Sequence, residues 1–225
     1  MKLPLSNRLL ACCDFVNQGD RVADVGCDHG YLSIHLLQTG IASSIIASDV
    51  AEGPLQSALR NAHKYGVKNK ISFFLSDGVR NIPRDFDTLV CAGMGADTMI
   101  SILDAAPWLK DNKYRLILQC QSKRPELRKY LYSQGFAIRR ETLAQDGKFI
   151  YPIMEVVYCP GESLTDAQYY ITPALLESAS PLLGTFLDRV TDGLQKTVDG
   201  LARTGGERYE EYKSILEELH HAHRS

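Results

Sequence analysis

Hydrophobic positions in the first 160 residues follow two different spacings. Short apolar runs such as 88–92 and 116–118 lack polar alternation, which is typical of strands covered on both faces. Between these runs, apolar residues recur every three or four positions, as in amphipathic helices. The pattern predicts strands at 21–25, 44–48, 71–75, 87–92, 115–120, 136–143 and 151–158, and helices at 5–18, 30–39, 52–65, 96–106 and 124–134.

The last two predicted strands have no helix between them, only a turn around Asp146-Gly147. Two strands joined in this way form an antiparallel hairpin. The order of elements therefore predicts an α/β fold with a seven-stranded, mostly parallel sheet, the Rossmann-like layout of class I methyltransferases. A dinucleotide dehydrogenase more often ends in a plain parallel strand, and this distinction is an analogy at the level of the fold.

After Pro160-Gly161 the pattern becomes purely helical. Apolar residues recur at three- and four-residue steps over 183–201 and again over 209–219, and Gly205-Gly206 separates the two series. This spacing predicts an antiparallel, coiled-coil-like helical hairpin. We therefore divide the chain into a cofactor-binding catalytic body, residues 1–160, and a helical extension, residues 161–225. The extension could be a packing appendage, a dimer seam or an arm that grips substrate, so a monomer and a coiled-coil-mediated dimer both stay open.

The most informative segment joins the first strand to the next helix and reads Asp24-Val-Gly-Cys-Asp-His-Gly30. Glycines in such a turn let a ligand approach the backbone closely, and the helix N-terminus offers free N–H groups. Asp49 ends the second strand, where a carboxylate can accept both hydroxyls of a ribose. Together these features predict a site for a cofactor that carries a nucleoside.

Two further turns lie at the same edge of the predicted sheet, because the carboxyl ends of parallel strands meet there. Asp77-Gly78 follows the third strand, and Ala92-Gly93-Met94 follows the fourth. The predicted cofactor-binding residues are Asp24, Gly26, Cys27, His29, Gly30, Asp49, Val50, Asp77, Gly78, Ala92, Gly93 and Met94.

The glycine spacing favours S-adenosylmethionine, which becomes S-adenosylhomocysteine, over NAD. Gly26 and Gly30 lack the middle glycine that normally lets a pyrophosphate approach the backbone. Asp28 occupies that middle position, where an acid would repel a pyrophosphate but could lie beside a sulfonium cation. Asp28 could instead face the reacting centre or cap the helix that starts near Gly30, and the sequence leaves both roles open.

Charge is unevenly distributed along the chain, although the net charge is only −2. The body holds 19 basic and 16 acidic residues, whereas the extension holds 6 and 11. A polyanion should therefore prefer the body. Basic residues concentrate in 123–148, which is either a solvated face or a surface that contacts phosphate. The candidate RNA-binding residues in it are Lys123, Arg124, Arg128, Arg139 and Arg140.

Several features that the sequence lacks reduce the number of functions that fit it. Six scattered cysteines without a Cys-x-x-Cys pair are typical of a reduced, cytoplasmic protein. No apolar run approaches the length of a membrane span, and no metal-ligand cluster is visible, so we expect neither membrane nor metal. The fourth strand is not followed by the Asn/Asp-Pro-Pro-aromatic motif of enzymes that methylate exocyclic amines of bases.

These motifs resemble the bacterial TrmK family of tRNA (adenine(22)-N1)-methyltransferases. The resemblance rests on Leu5-Ser-Asn-Arg-Leu, Ala23-Asp-Val-Gly-Cys-Asp-His-Gly-Tyr-Leu, Asp77-Gly, Ala92-Gly-Met-Gly, Arg115-Leu-Ile-Leu-Gln and Asp146-Gly-Lys, and it covers essentially the whole chain. It implies S-adenosylmethionine as cofactor and tRNA as substrate. The family usually has Leu-Gln-Pro-Asn after the fifth strand, whereas here Leu118 is followed by Gln-Cys-Gln-Ser.

The resemblance also implies that Asp28 and Arg8 take part in catalysis. Asp28 would stabilise the charge that develops on adenine, or contact its amino group, and Arg8 would orient Asp28 or hold a phosphate. The expected reaction is methylation of N1 of adenine 22. The alternatives are a catalytically silent tRNA-binding protein and a small-molecule methyltransferase on the same fold.

Overall fold

The computed structural model describes residues 3–222, so the outer limits of the predicted body and extension, residues 1 and 225, lie outside the described residues. One seven-stranded sheet has the strand order β3-β2-β1-β4-β5-β7-β6. All neighbouring pairs are parallel except the two that involve β7. The strands are β1 Arg21–Val25, β2 Ser44–Asp49, β3 Ile71–Leu75, β4 Thr88–Met94, β5 Arg115–Cys120, β6 Phe136–Asp146 and β7 Phe149–Tyr158.

Helices cover both faces of this sheet and form the extension. They are α1 Asn7–Cys13, α2 Tyr31–Gln38, α3 Glu52–Lys64, α4 Ala96–Asp104, α5 Arg124–Ser133, α6 Pro173–Leu176, α7 Leu183–Leu201 and α8 Glu207–Ala222. Two short 3₁₀ turns occupy Lys68–Lys70 and Pro107–Leu109. The predicted fold class, with its closing hairpin, is confirmed.

The first helix is shorter than the hydrophobic pattern predicted. It begins after Ser6, whose hydroxyl accepts the backbone N–H of Leu9, and it ends at Cys13. Beyond it, the backbone N–H of Asn17 donates to the carboxylate of Asp20. Such side-chain bonds to the backbone compete with helical hydrogen bonds. The apolar spacing continued past the helix because the following turn still buries Phe15.

Two apolar layers flank the sheet and explain its non-alternating strands. Ala23, Leu89 and Leu116 belong to the layer beneath α4 and α5. Val90 and Ile117 face the opposite layer, which is covered by α1, α2 and α3. Because adjacent residues of the central strands are buried on opposite faces, these strands appear as continuous apolar runs.

The extension packs on the β6–β7 hairpin through a third apolar cluster. Leu143 and Ile150 of the hairpin share this cluster with residues of α6, α7 and α8. The predicted helical spacing is confirmed, and Gly205-Gly206 separates α7 from α8. The buried apolar residues contributed by the two long helices are Phe186, Leu187, Leu194, Val198, Ile215, Leu216 and Leu219.

A buried polar network also ties the extension to the body. Arg128 of α5 pairs with Glu141 of β6, and both side chains are almost fully buried. Arg128 Nη1 donates to the carbonyls of Tyr169 and Tyr170, at 3.0 and 2.7 Å. The Thr172 hydroxyl donates to the second carboxylate oxygen of Glu141. Breaking such a network would leave an uncompensated buried charge, so the network stabilises one particular docking of the extension.

Candidate functional site

A pocket of about 320 Å³ opens at the carboxyl edge of the parallel strands, and we call it the edge pocket. Three elements surround it, namely α1, the turn between β1 and α2, and the turn between β4 and α4. Its position agrees with the site predicted from the order of strands. It is lined by Arg8, Leu9, Asp24, Gly26, Cys27, Asp28, His29, Tyr31, Leu32, Ala92, Gly93, Met94 and Gln121.

Two positions of the β1–α2 turn favour glycine because both have a positive φ. Gly26 has φ +74°, and a Cβ there would lie 2.3 Å from Cε of Met94. Gly30 has φ +71°, and its Cβ would lie 3.0 Å from that of Ala58 on α3. The backbone N–H groups of Gly26 and Cys27 both donate to the carbonyl of Ser48. The turn is therefore held against β2 and α3, with little room for side chains.

Asp24 places a buried acid on the wall of the edge pocket. The hydroxyl of Ser33 donates to its Oδ2 at 2.6 Å. Burial raises the pKa of Asp24 to about 6, and the charge of Asp49 acts in the same direction. A cationic ligand in the pocket would favour the ionised form of this acid.

Asp49 joins two loops of the predicted cofactor site. Its Oδ2 accepts the backbone N–H of Asp28 at 3.1 Å, and its Oδ1 accepts that of Ala51 at 3.0 Å. Asp49 does not line the edge pocket, and neither do Gly30, Val50, Asp77 or Gly78. These five predicted residues therefore lie outside the edge pocket. Gly78 is buried against Ile102, where a Cβ would approach to 2.8 Å.

Asp28 does not cap the helix that follows it. The N-cap position of α2 is Gly30, and no side chain caps the helix there. The alternative that Asp28 caps α2 is therefore wrong. Asp28 has φ +49° and an exposed carboxylate, which lies 3.7 Å from Nε2 of His29. A positive φ is uncommon for a residue other than glycine, and the hydrogen bond from its backbone to Asp49 holds it there.

Arg8 reaches the edge pocket without contacting Asp28. Its Nη1 donates to Oε1 of Gln119 at 2.7 Å, and its Nε lies 3.9 Å from the carboxylate of Asp146. Within residues 3–222, no ion pair joins Arg8 to Asp28, so the expectation that Arg8 orients Asp28 directly is wrong. The side chain stays largely buried beside the turn that contains Gly93.

Gln119 is a site residue that the sequence analysis did not select. Its Oε1 accepts both Nη1 of Arg8 and the backbone N–H of Gly93, the latter at 3.0 Å. The two donors determine the orientation of the amide group, because the reversed amide would oppose them with its own N–H groups. The signal available in the sequence was a polar residue at the end of the apolar run 116–118, and the structure shows that this residue is fully buried.

The basic candidates differ in how accessible their side chains are. Arg128 is completely buried in its pair with Glu141 and has no surface with which to contact RNA, so the prediction that it binds RNA is wrong. Lys123 pairs with Asp97, and Arg139 with Glu162. Arg140 pairs with Glu155 of β7.

Among residues 3–222, no group of three or more His, Cys, Asp or Glu side chains could hold a metal ion. None of the helices in that range combines the length and the apolar character needed to cross a membrane. The six cysteines are free thiols.

The chain is similar in sequence and in fold to known methyltransferases. The methyltransferase domain family matches residues 5–154. The tRNA (adenine(22)-N(1))-methyltransferase of Bacillus subtilis (strain 168) is 32% identical over 187 residues, which are 83% of this chain and 76% of that protein. Among solved structures, Streptococcus pneumoniae Sp1610 in complex with S-adenosyl-L-methionine has a TM-score of 0.84 at 29% identity, covering 96% of this chain and 99% of that one. The B. subtilis m1A22 tRNA methyltransferase TrmK has a TM-score of 0.80 at 27% identity, covering 98% and 96%.

Proposed function

The chain belongs to the family of S-adenosylmethionine-dependent tRNA (adenine(22)-N1)-methyltransferases, and we propose that the edge pocket is where it performs this reaction. It is a transferase that moves a methyl group to N1 of adenine 22 in tRNA. The observation that carries the assignment of the site is the meeting of Asp24, Asp28 and Arg8 in one pocket at the carboxyl edge of the sheet.

The residues of the edge pocket fit the cofactor. S-adenosylmethionine carries a sulfonium, an ammonium and a carboxylate, and the pocket offers two acids, one arginine and backbone held close by Gly26. When bound, the cofactor supplies a methyl group on a positively charged sulfur. We propose that this end contacts residues of the pocket wall, namely Asp24, Gly26, Cys27, His29, Ala92, Gly93 and Met94. Gly30, which does not line the pocket, would contribute by letting the turn pack closely against Ala58 of α3.

The adenosine end would extend along the same edge, beyond the pocket. Asp49 would accept the ribose hydroxyls with the lone pairs that its two backbone hydrogen bonds leave free. The side chain of Val50 is exposed although it is apolar, which suits a contact with a flat base. Asp77 and Gly78 would complete this part of the site.

Asp28 is proposed to act on the target base. Methylation of N1 leaves the adenine ring positively charged, so a carboxylate placed beside it stabilises the charge that develops. The exposed side chain of Asp28 at the pocket mouth is free to approach a base. Arg8, held by Gln119, would bind the phosphate of the same nucleotide with its remaining N–H groups.

Adenine N1 lies on the Watson–Crick edge, so the base must be unpaired or swung out before it can react. We propose that Lys123, Arg124, Arg139 and Arg140 contact the tRNA backbone around this base. The body carries the positive charge that attracts RNA, whereas the extension carries a charge of −5. We also propose a cytoplasmic location, which a tRNA substrate supports.

Two linked measurements test this function. Calorimetry with S-adenosylmethionine measures cofactor binding, and mass spectrometry of nucleosides measures methylation of an unmodified tRNA transcript. We expect 1-methyladenosine to form on a transcript with adenine 22 and not on a matched transcript with guanine 22. Cofactor binding without transfer to either RNA would favour a silent RNA-binding protein or a small-molecule methyltransferase.

A further inference from the structure

A second cleft, of about 340 Å³, lies between the start of α5 and the extension, and we call it the extension cleft. Gln121 lines the edge pocket, and the next residue, Ser122, lines the cleft, so one segment between β5 and α5 contributes to both cavities. The cleft is lined by Ser122, Lys123, Arg124, Pro125, Tyr170, Phe186, Arg189, Val190, Gly193, Leu194, Thr197 and Tyr212.

The charge of this lining differs from that of the extension as a whole. The extension carries 11 acidic residues, yet none of them lines the cleft. The cleft instead presents two arginines and a lysine, one arginine on each wall. Arg124 stands at the start of α5 in the body, and Arg189 stands on α7 in the extension.

Arg124 is a half-buried cation with no acidic partner. Its guanidinium lies over the ring of Phe186 at 5.2 Å from the centroid. Within residues 3–222 it has no hydrogen-bond acceptor and no ion pair, although Arg128, Arg139 and Arg140 all have carboxylate partners. Burial and the nearby Arg128 lower the pKa of Arg124, which is the effect expected for a positive charge without compensation.

Arg189 completes the pair of guanidinium groups. One of its nitrogens donates to the carbonyl of Lys148 in the β6–β7 turn at 2.9 Å, which anchors the side chain to the body. No carboxylate lies within ion-pair distance of Arg189 among the described residues. Two guanidinium forks without acidic partners, set on facing walls, form a receptor for an anion that accepts several hydrogen bonds.

We propose that the extension cleft binds a phosphodiester group of the tRNA backbone next to the target nucleotide. This inference rests on the proposed function and adds a specific subsite to it. The body supplies Arg124 and Lys123, and the extension supplies Arg189, so the subsite forms only when the extension is docked. An acidic extension can thereby strengthen the binding of a polyanion through one locally basic face.

The test compares Arg124→Gln, Arg189→Gln and the double variant with Arg203→Gln. Arg203 is an exposed arginine just beyond α7 that does not line the cleft, so it is the matched control. For each protein, the tRNA dissociation constant is measured over a salt series, together with kcat, KM for tRNA and the affinity for S-adenosylmethionine. Arg124→Lys keeps the charge and serves as a second variant if Arg124→Gln fails to fold.

We expect each cleft variant to raise KM for tRNA by about tenfold. The slope of log affinity against log salt should fall by about 0.7–0.9, the change for one lost phosphate contact. Cofactor affinity should be unchanged, and Arg203→Gln should match the wild type. Wild-type slope and KM in both Arg124→Gln and Arg189→Gln would overturn the subsite while the wild type still methylates tRNA. If the wild type itself methylates no tRNA, the proposed function fails instead.

Discussion

At the scale of single residues, Asp24 couples protonation to stability. Its pKa is raised from 3.8 to about 6 because the carboxyl group is buried. Between about pH 4 and pH 6 the folded protein holds a proton that the unfolded chain has released, so stability falls as the pH rises through this window. The difference of about two pKa units corresponds to about 3 kcal/mol, and this cost persists above pH 6.

Asp24→Asn should therefore stabilise the protein without ligand. We expect a gain of about 1–3 kcal/mol in the free energy of unfolding at pH 7.5, and a much smaller gain at pH 4.5, where the wild-type acid is protonated. Urea denaturation at the two pH values measures both. The same variant should bind S-adenosylmethionine more weakly because it lacks the negative charge. A variant of wild-type stability at both pH values would contradict the assignment of the raised pKa.

Asp28→Asn tests whether the charge of Asp28 contributes to catalysis, because the substitution should leave the structure of the turn intact. Asparagine tolerates the positive φ of this position and keeps the shape of the side chain, so the fold and most of the cofactor affinity should persist. Loss of the charge should lower kcat by about 10²-fold, the usual cost of one group that stabilises transition-state charge. Single-turnover methylation of tRNA measures it, and Asp85→Asn, at an exposed acid paired with Arg21, is the matched control. Near-normal turnover by Asp28→Asn would exclude the catalytic role.

At the scale of elements, Gln119 connects three parts of the site. Its Oε1 links Arg8 of α1 to the backbone of Gly93, so the end of β5 positions both the first helix and the β4–α4 turn. Gln119 touches neither substrate nor cofactor in our proposal, which makes it a positioning residue. The strained β1–α2 turn depends in the same way on Asp49 at the end of β2.

Gln119→Leu should impair methylation, whereas Gln119→Glu should retain most of the wild-type activity. Leucine removes the acceptor and leaves the N–H groups of Arg8 and Gly93 without a partner, while glutamate keeps an acceptor for both. We expect kcat/KM for tRNA to fall by about 10–100-fold in the leucine variant, corresponding to about 1–3 kcal/mol. Steady-state kinetics with both variants gives the comparison. Equal losses in both variants would point to a packing role instead.

At the scale of the whole molecule, the extension is an integral part of the fold. It covers Leu143 and Ile150 of the hairpin and supplies partners to the buried Arg128–Glu141 pair. Removing everything after residue 160 would expose these groups. Truncation would therefore change the stability of the body and its RNA binding at the same time. Single substitutions separate the effect on stability from the effect on RNA binding.

Thr172→Val is such a change at the joint between extension and body. It removes a buried hydroxyl that donates to Glu141 and accepts the backbone N–H of Leu175 at the start of α6, so we expect a loss of about 1–3 kcal/mol in the free energy of unfolding. Urea denaturation at pH 7.5 measures it, with Thr204→Val at an exposed position as control. The affinity for S-adenosylmethionine should stay the same, because the edge pocket lies away from this joint. Unchanged stability would show that the network does not hold the extension in place.

The sequence by itself determined the α/β fold class with its seven-stranded, mostly parallel sheet and the closing hairpin. It also determined the helical extension and the turns around Gly26, Gly78 and Gly93. These features depend on local spacing and on short motifs, because strand and helix periods and glycine turns are properties of neighbouring residues. The family motifs extended this reading to the cofactor and the tRNA substrate.

Only the tertiary structure decided which polar residues are available to a ligand. Arg124 and Arg128 lie one helical turn apart in the same basic segment, yet one faces a cleft and the other is sealed in a buried pair. The amide of Gln119 meets Arg8 across 111 positions of sequence. The burial of a polar side chain and its hydrogen-bond partners depend on contacts between distant segments of the chain. Local patterns in the sequence therefore do not predict them.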